Sequence, residues 1–487
     1  MDFATSFALI APELVLTATG LLLVLAAAWG GDKSARVISI IAAVALGGAF
    51  ALVAPAVCRG AAGPDTLAFG GLFRADAFAG FAKLMIFAAS GATLVVAPRF
   101  FGKIGAIRAE FPVLVLFAAL GMSIMVSAND LLTLYIGLEL NSLSAYVLAA
   151  MLRDDDRSAE AGLKYFVLGA LASGILLFGM SLTYGFTGTT NFAGIAAVTA
   201  GGLNTGMLFG LIFILSGLAF KISAAPFHMW TPDVYTGAPT PVTMFFASAP
   251  KVAAVALLTR VSMDAFGTQV DAWRQVVIAA ALLSVVIGAL GAIGQENIKR
   301  LLAYSSINNV GFILIGLAAG TATGASALLV YLAIYTVMTV GSFVAVLLMR
   351  DAEGRQLEGI SDLAGLSTTR PLLAWSLLAL MFSLAGIPPL WGFWGKFVVF
   401  QAAVEADLLA LAAIGIAASV IGAFYYIKIV KIMFFDAPAD TIRGEGDTAH
   451  WALLAICAVI ISPLGYLLTP WLGELADAAA ASLMLLA

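Results

Sequence analysis

Charge is scarce in this chain. Only 11% of its 487 residues are Asp, Glu, Lys or Arg, 62% are hydrophobic, and the mean hydropathy is +1.05. A soluble protein of this length needs far more charged surface, so the soluble classes are excluded. Histidine is rarer still: His228 and His450 are the only two, and they exclude an HExxH zinc helix. The two cysteines, Cys58 and Cys457, lie far apart and read as apolar fillers rather than a disulfide or a metal pair. No phosphate-binding loop is present, since Gly395-Lys396 lacks the glycine five residues earlier. No pattern suits a nucleotide, flavin, haem or iron–sulfur cluster in this chain, so no cofactor or metal is expected in it. The net charge of −4 says little about partners, and no nucleic-acid partner is expected. Long uninterrupted apolar runs exclude a β-barrel, whose strands alternate.

What is abundant is hydrophobic sequence, enough for fourteen candidate helices. They run roughly 11–29, 36–57, 76–98, 112–128, 130–150, 160–186, 206–225, 241–263, 274–294, 301–319, 324–349, 371–405, 408–434 and 450–470. The N-terminus lacks a basic region and a small-residue cleavage site, so Ala11 to Ala28 is expected to be a retained span. A Pro/Gly-rich segment follows the seventh span, and the twelfth contains Pro388-Pro389, so helices 7 and 12 should be broken. With the N-terminus outside, fifteen lysines and arginines, from Lys33 and Arg36 to Arg443, fall on the inner side. Only Arg59, Arg74, Arg260 and Arg274 fall outside. That bias places both termini on the outer face.

A charge at the centre of a membrane helix costs about 2.5–3.5 kcal/mol even on the most permissive scale, so each one is a functional hypothesis by default. Glu139 lies nine residues into the fifth span, about 13 Å deep, followed by Asn141, Ser142 and Ser144 on a polar stripe. Lys221 and Lys251 flank the first break, in F-K-I-S-A-A-P-F-H and A-S-A-P-K. Lys396 follows the second break, in W-G-F-W-G-K-F. These four read as proton or ion carriers, against the alternative of buried ion pairs that only fix packing. A Glu139–Lys221 pair would act as a switch. Lys164 and Lys83 sit nearer the faces and could instead snorkel. His228, beside the first break, suits a proton relay or a cap on freed carbonyls, and Asp233 suits a helix cap.

The two breaks resemble each other. With Pro226 set against Pro389, Asp233 falls on Lys396. Five spans separate the breaks, so they cross in opposite senses, as two inverted five-helix repeats would require (spans 4–8 and 9–13). The expected architecture is an all-α integral membrane protein of four parts. These are a three-helix segment (1–98), a first repeat (112–263), a second repeat (274–434) and a C-terminal helix and tail (450–487).

Further motifs extend this pattern: L-Y-I-G-L-E-L at Leu134–Leu140, G-A-P-T-P-V at Gly237–Val242, Q-E-N-I-K-R-L-L-A-Y-S-S-I at Gln295–Ile307, D-L-A-G-L at Asp362–Leu366 and G-I-P-P-L-W-G-F-W-G-K-F at Gly386–Phe397. Together they cover spans five to twelve in order. On them the chain resembles the antiporter-like proton-channel subunits of respiratory complex I, which are related to Mrp-type cation/proton antiporters. Within that family, Lys396 stands where M-type subunits typically carry glutamate, and no long lateral helix of the L-type follows span fourteen. The resemblance implies a proton-translocating subunit of a bacterial inner (cytoplasmic) membrane NADH:quinone oxidoreductase, with both termini periplasmic. It also implies membrane and peripheral partner subunits that carry NADH, FMN, iron–sulfur clusters and quinone, and contact with membrane lipids. By the same resemblance Glu139 and Lys221 form the switching pair, Lys251 is the central relay and Lys396 faces the exit. His228 and Lys164 are secondary. The alternative is a cation/proton antiporter subunit without redox coupling. One departure stands out: Asn308-Asn309 follows Ser305-Ser306 where the family often has histidine, so a path through span ten must use water or Tyr304 and the serines.

Overall fold

Polar N-caps and prolines set where the helices of this chain begin and break. The computed structural model describes residues 3–444 and 446–483, so the last four residues of the expected C-terminal segment lie outside the described residues. Apart from a two-stranded ribbon, Leu67–Ala68 with Phe73–Arg74, every regular element described is helical. The main helices are α1 (Ala11–Gly30), α2 (Ala35–Cys58), α3 (Ala77–Lys103), α4 (Glu110–Val126), α5 (Leu131–Ala149), α6 (Asp156–Thr187), α7 (Thr205–Ile222), α8 (Trp230–Gly237) and α9 (Thr240–Ala247). They continue with α10 (Ala249–Arg260), α11 (Val270–Ile293), α12 (Ile298–Ala318), α13 (Ala322–Leu347), α14 (Pro371–Ala385), α15 (Trp391–Glu405), α16 (Leu409–Phe435), α17 (Thr448–Ile461) and α18 (Thr469–Leu483). Side chains of Asp76, Asp130, Asn204 and Asn297 accept backbone N–H groups at the starts of α3, α5, α7 and α12, which would otherwise be unpaired.

Among the described residues, ten stretches are long and apolar enough to cross a membrane, or eleven if α17 and the bent segment after it form one span. That is fewer than the fourteen expected. Two of the expected spans, α4 and α14, are shorter apolar helices of 17 and 15 residues. Both expected breaks are present. α7 ends at Ser223, which adopts a left-handed φ of 65°, and α14 ends at Gly386, with φ 83°. In both breaks the peptide bond before the aligned proline, Pro226 or Pro389, is cis.

Two further interruptions were not expected. The eighth span kinks at Ser248, between α9 and α10, where Pro250 has no N–H to continue the ladder. The fourteenth bends by 68° at Ser462-Pro463 for the same reason, and the expected tail is the helix α18, packed on α3 and α13. Cys58 is exposed and Cys457 buried, and neither is bonded. The α9–α10 pair, α12 and α13 are almost wholly buried, so the core lies along them. The outer helices α1, α6, α11 and α16 bury only one side, as helices facing lipid or partner chains would.

Candidate functional site

The first site forms where α5, α6 and α7 meet. α5 approaches α4 closely because both carry glycine: a Cβ on Gly121 would lie 2.6 Å from the Asn141 nitrogen, and one on Gly137 2.7 Å from that of Met125. Close backbone contact through small residues is how membrane helices pack. It turns Asn141, Ser142 and Ser144 inward, and all three are buried. The Lys221 amine at the end of α7 donates to Ser142 Oγ at 2.9 Å and to Ser173 Oγ of α6 at 3.2 Å. It also lies 6.0 Å from the Tyr146 ring and 5.8 Å from Phe220, within cation–π range. The expected Glu139–Lys221 contact is therefore not a direct ion pair. Ser142, one turn along α5 from Glu139, takes the amine, and Glu139 Oε1 is buried without a hydrogen-bond partner.

The break itself is held by aromatic side chains. Trp230 stacks on Tyr165 at 4.5 Å and donates its Nε1–H to the Phe220 carbonyl at 3.0 Å, one of the acceptors the unwinding frees. Ser284 of α11 accepts from Ala225 N at 2.9 Å. His228 is half-buried there, and its Nδ1 has no hydrogen-bond partner. Asp233 does not cap α8. It is the fourth residue of that helix, and its carboxylate bridges Lys164 at 2.8 Å and Arg300 at 2.9 Å. Lys164 also pairs with Glu160 at 2.7 Å, and the group lines a cavity of about 220 Å³ with Arg157. Lys164 is nine residues of α6 from Ser173, so about 13 Å separates it from the Lys221 contact.

Lys251 begins the second site. It is buried beside the Ser248 kink, its amine has no protein acceptor, and the nearest π-face is Tyr235 at 5.7 Å. An ammonium carries three donors, so a permanent charge here would be costly, and the place suits a group that loads and unloads. Two groups of buried hydroxyls lie along α12. Ser306 pairs with Tyr335 at 2.7 Å, and Ser305 with Tyr426 at 2.5 Å. Asn309 joins them. It accepts from Tyr331 at 2.6 Å and donates to the Ser305 carbonyl at 2.7 Å. The serines are used as expected, but Tyr304 is not among these bonds. Tyr331, Tyr335 and Tyr426 take its place, from helices that no local signal ties to span ten.

Lys396 marks the third site. From α15 it reaches back across the second break to the Ala385 carbonyl at 3.0 Å, donates to Ser419 of α16 at 2.9 Å, and faces the Phe312 ring at 4.6 Å. A cavity of about 790 Å³ runs from this amine past Gln401 to Glu405 at the end of α15. Lys83 does not snorkel. It is buried and pairs with Glu13 of α1 at 2.6 Å, and Ser123 donates to the same carboxylate oxygen at 2.5 Å. Sequence reading also missed a closed quartet. Arg74 and Arg260 bond Asp76 and Asp264 at 2.7–3.1 Å with all four side chains buried, and Arg74 further donates to the Ser482 carbonyl of α18. Each arginine has one partner near it in sequence, Asp76 for Arg74 and Asp264 for Arg260, but the cross pairs that close the quartet span 190 and 184 residues.

The chain is similar to several known proteins. Residues 128–422 match the family described as NADH:quinone oxidoreductase/Mrp antiporter, TM. A protein of Erythrobacter litoralis named NADH-quinone oxidoreductase subunit N is 67% identical over 485 residues, covering 100% of both chains. A chain in the structure of respiratory complex I from Thermus thermophilus with bound Aureothin is 33% identical, with a TM-score of 0.81 over 96% of this chain and 99% of its own. A chain of the Mrp complex from Dietzia sp. is 23% identical, with a TM-score of 0.82 over 99% and 98%, which speaks to the fold alone.

Proposed function

The chain belongs to the NADH:quinone oxidoreductase/Mrp antiporter membrane family, and from that premise we propose that it is a proton-translocating membrane subunit of an NADH:quinone oxidoreductase. In this reading NADH, FMN, the iron–sulfur clusters and quinone are handled by partner subunits of the assembly, and this chain supplies the proton path. The path is Glu139, Lys221, Lys251 and Lys396, with Lys164 and Asp233 at the inner mouth and His228 beside the first break. The observation that carries it is positional: each of the three lysines stands at an interrupted helix, where unwound backbone and half-helix ends offer polar groups inside the membrane.

Glu139 and Lys221 act through Ser142 in this scheme. A change of charge near Glu139 alters how tightly the amine is held, and its proton moves on towards Lys251. The hydroxyl line of Ser306, Tyr335, Asn309 and Tyr426 then leads towards Lys396. The 790 Å³ cavity beside Lys396 supports an exit there.

A fourteen-span count follows from dividing Ala11–Cys58 at its 3-10 turn, joining α17 to its bent continuation and adding α4 and α14. The inverted repeats are supported by matched packing. α4 packs on α5 as α11 does on α12, and α8 on α6 as α15 does on α13. With the inner loops rich in lysine and arginine, both termini face the periplasm. The names of the relatives favour redox coupling over a free-standing antiporter.

The test uses the assembled complex. Lys251→Ala, which leaves no group to take the proton, and Lys221→Arg, which does not release it, should each lower protons moved per electron. Full pumping in both would leave the lysines as packing elements only.

A further inference from the structure

The half-helix α8, which restarts the chain after the first break, touches the surroundings of two of the path's lysines. Trp230 at its start stacks on Tyr165, the Tyr165 ring meets that of Tyr146 at 5.0 Å, and Tyr146 faces the Lys221 amine. Tyr235 near its end faces the Lys251 amine at 5.7 Å. From that end the chain passes through Ala238 and Pro239 into α9, the Ser248 kink and Lys251. A helix of eight residues is not stable by itself, so its neighbours decide where it lies. On one side it presses against α6, where a Cβ on Gly237 would lie 2.4 Å from the Arg157 carbonyl oxygen. On the other side the first turn of α12 holds it. Arg300 bonds Asp233, and Lys299 is buried with all three donors in use. The Lys299 amine donates to the Thr236 carbonyl at 3.0 Å, the Ala238 carbonyl at 2.8 Å and the Glu358 carboxylate at 3.0 Å. A cation beside the last carbonyls of a helix also meets the negative end of its dipole.

We propose that Lys299 is a positioning residue for the proton path. With Glu358 behind it, its amine fixes the joint between α8 and α9 and so keeps the Tyr235 ring against the Lys251 amine. The proposal rests on the proton-carrying reading of Lys251. An aromatic face stabilises a charged amine over a neutral one, so a shift of the ring changes how readily Lys251 takes and gives up a proton. The plain alternative is that Lys299 only anchors the loop around Glu358. Two observations favour the joint. Two of the three donors go to its carbonyls. The loop is also tied without the amine: Ile298 N donates to the Glu358 carbonyl at 2.8 Å, Ile360 N to the Glu296 carbonyl at 2.7 Å, and the Asn297 amide to the Glu358 carboxylate at 3.1 Å.

The experiment uses the whole assembled complex. Lys299→Met keeps the apolar stem and removes the donors. Backbone hydrogen exchange in the 230–244 segment should rise about tenfold, and pumping should fall severalfold. Tyr235→Leu removes the ring that Lys299 is argued to act through, and it should lower pumping by itself. Adding Lys299→Met to Tyr235→Leu should then cost little more, because two changes in one pathway do not add. Losses that multiply in the double variant would leave Lys299 as a loop anchor and overturn the proposal, and so would unchanged exchange in 230–244. Should Lys299→Met not assemble, Glu358→Gln, which loosens the same amine from one side, takes its place in both measurements. Lys251→Ala separates the two readings. Full pumping there would overturn the role of Lys251 and this proposal with it. Impaired pumping there beside full pumping in Lys299→Met would overturn this proposal alone.

Discussion

The Lys221 amine is held by the Ser142 hydroxyl at 2.9 Å, and Ser142 stands one helical turn from Glu139. The carboxylate and the amine have no direct bond: the Ser142 hydroxyl accepts from the amine and donates to the Leu138 carbonyl, and Glu139 Oε1 has no hydrogen-bond partner.

Ser142→Ala removes one of two hydroxyl acceptors of the Lys221 amine. A hydrogen bond to a charged group contributes about 1.5–3 kcal/mol, so its loss disfavours the protonated amine, Lys221 loads less readily, and the pumping rate should fall by roughly tenfold or more while the complex still assembles. Proton pumping by reconstituted vesicles, set against electron flux in the same sample, measures this. An unaltered ratio and rate would show that Ser173 holds the amine alone.

Asn309 can be tested by the shape and polarity of its replacement. Asn309→Leu leaves the Tyr331 hydroxyl without its acceptor and removes a donor from the Ser305 carbonyl. Loss of pumping with retained assembly is expected. Asn309→His restores both a donor and an acceptor and should recover most of the activity. Equal behaviour of the two variants would mean that the path does not run through this hydroxyl line.

The Arg74–Asp76–Arg260–Asp264 quartet ties the ribbon and the start of α3 to the end of α10 and, through the Ser482 carbonyl, to α18. Removing one member leaves buried charge uncompensated, which costs about 3–5 kcal/mol. Arg260→Met should lower the melting temperature of the complex or its assembled yield. Pumping per electron in whatever assembles should stay normal, since none of the four touches the lysine row.

Gly121→Ala places a methyl group 2.6 Å from the Asn141 nitrogen, with backbone on both sides of the contact. Overpacking of this kind costs about 1–3 kcal/mol, and the strain falls on the stripe that carries Glu139 and Ser142. Both the stability of the complex and its pumping should fall. An alanine that changes only stability would separate the α4–α5 contact from the function of that stripe.

The membrane class, the two breaks and the positions of Glu139, Lys221, Lys251 and Lys396 were all legible in the sequence. Each has a local cause: a charge within an apolar run has few explanations, and a proline interrupts its own helix wherever it stands. Pro250 beside Lys251 and Pro463 in the last span carry the same local signal, and both bend the helix they lie in. What those charges touch was decided only by the tertiary structure. Ser173 and Ser419 look like any small residue of a membrane helix until packing sets them against Lys221 and Lys396. Tyr331, Tyr335 and Tyr426 replace the expected Tyr304, and Asp76 and Asp264 neutralise two arginines that read as loop charges. A single residue carries its own hydropathy and backbone preference, so depth and breakage can be read along the chain. A contact between helices depends on which faces pack together, and that information exists only once the whole chain is assembled.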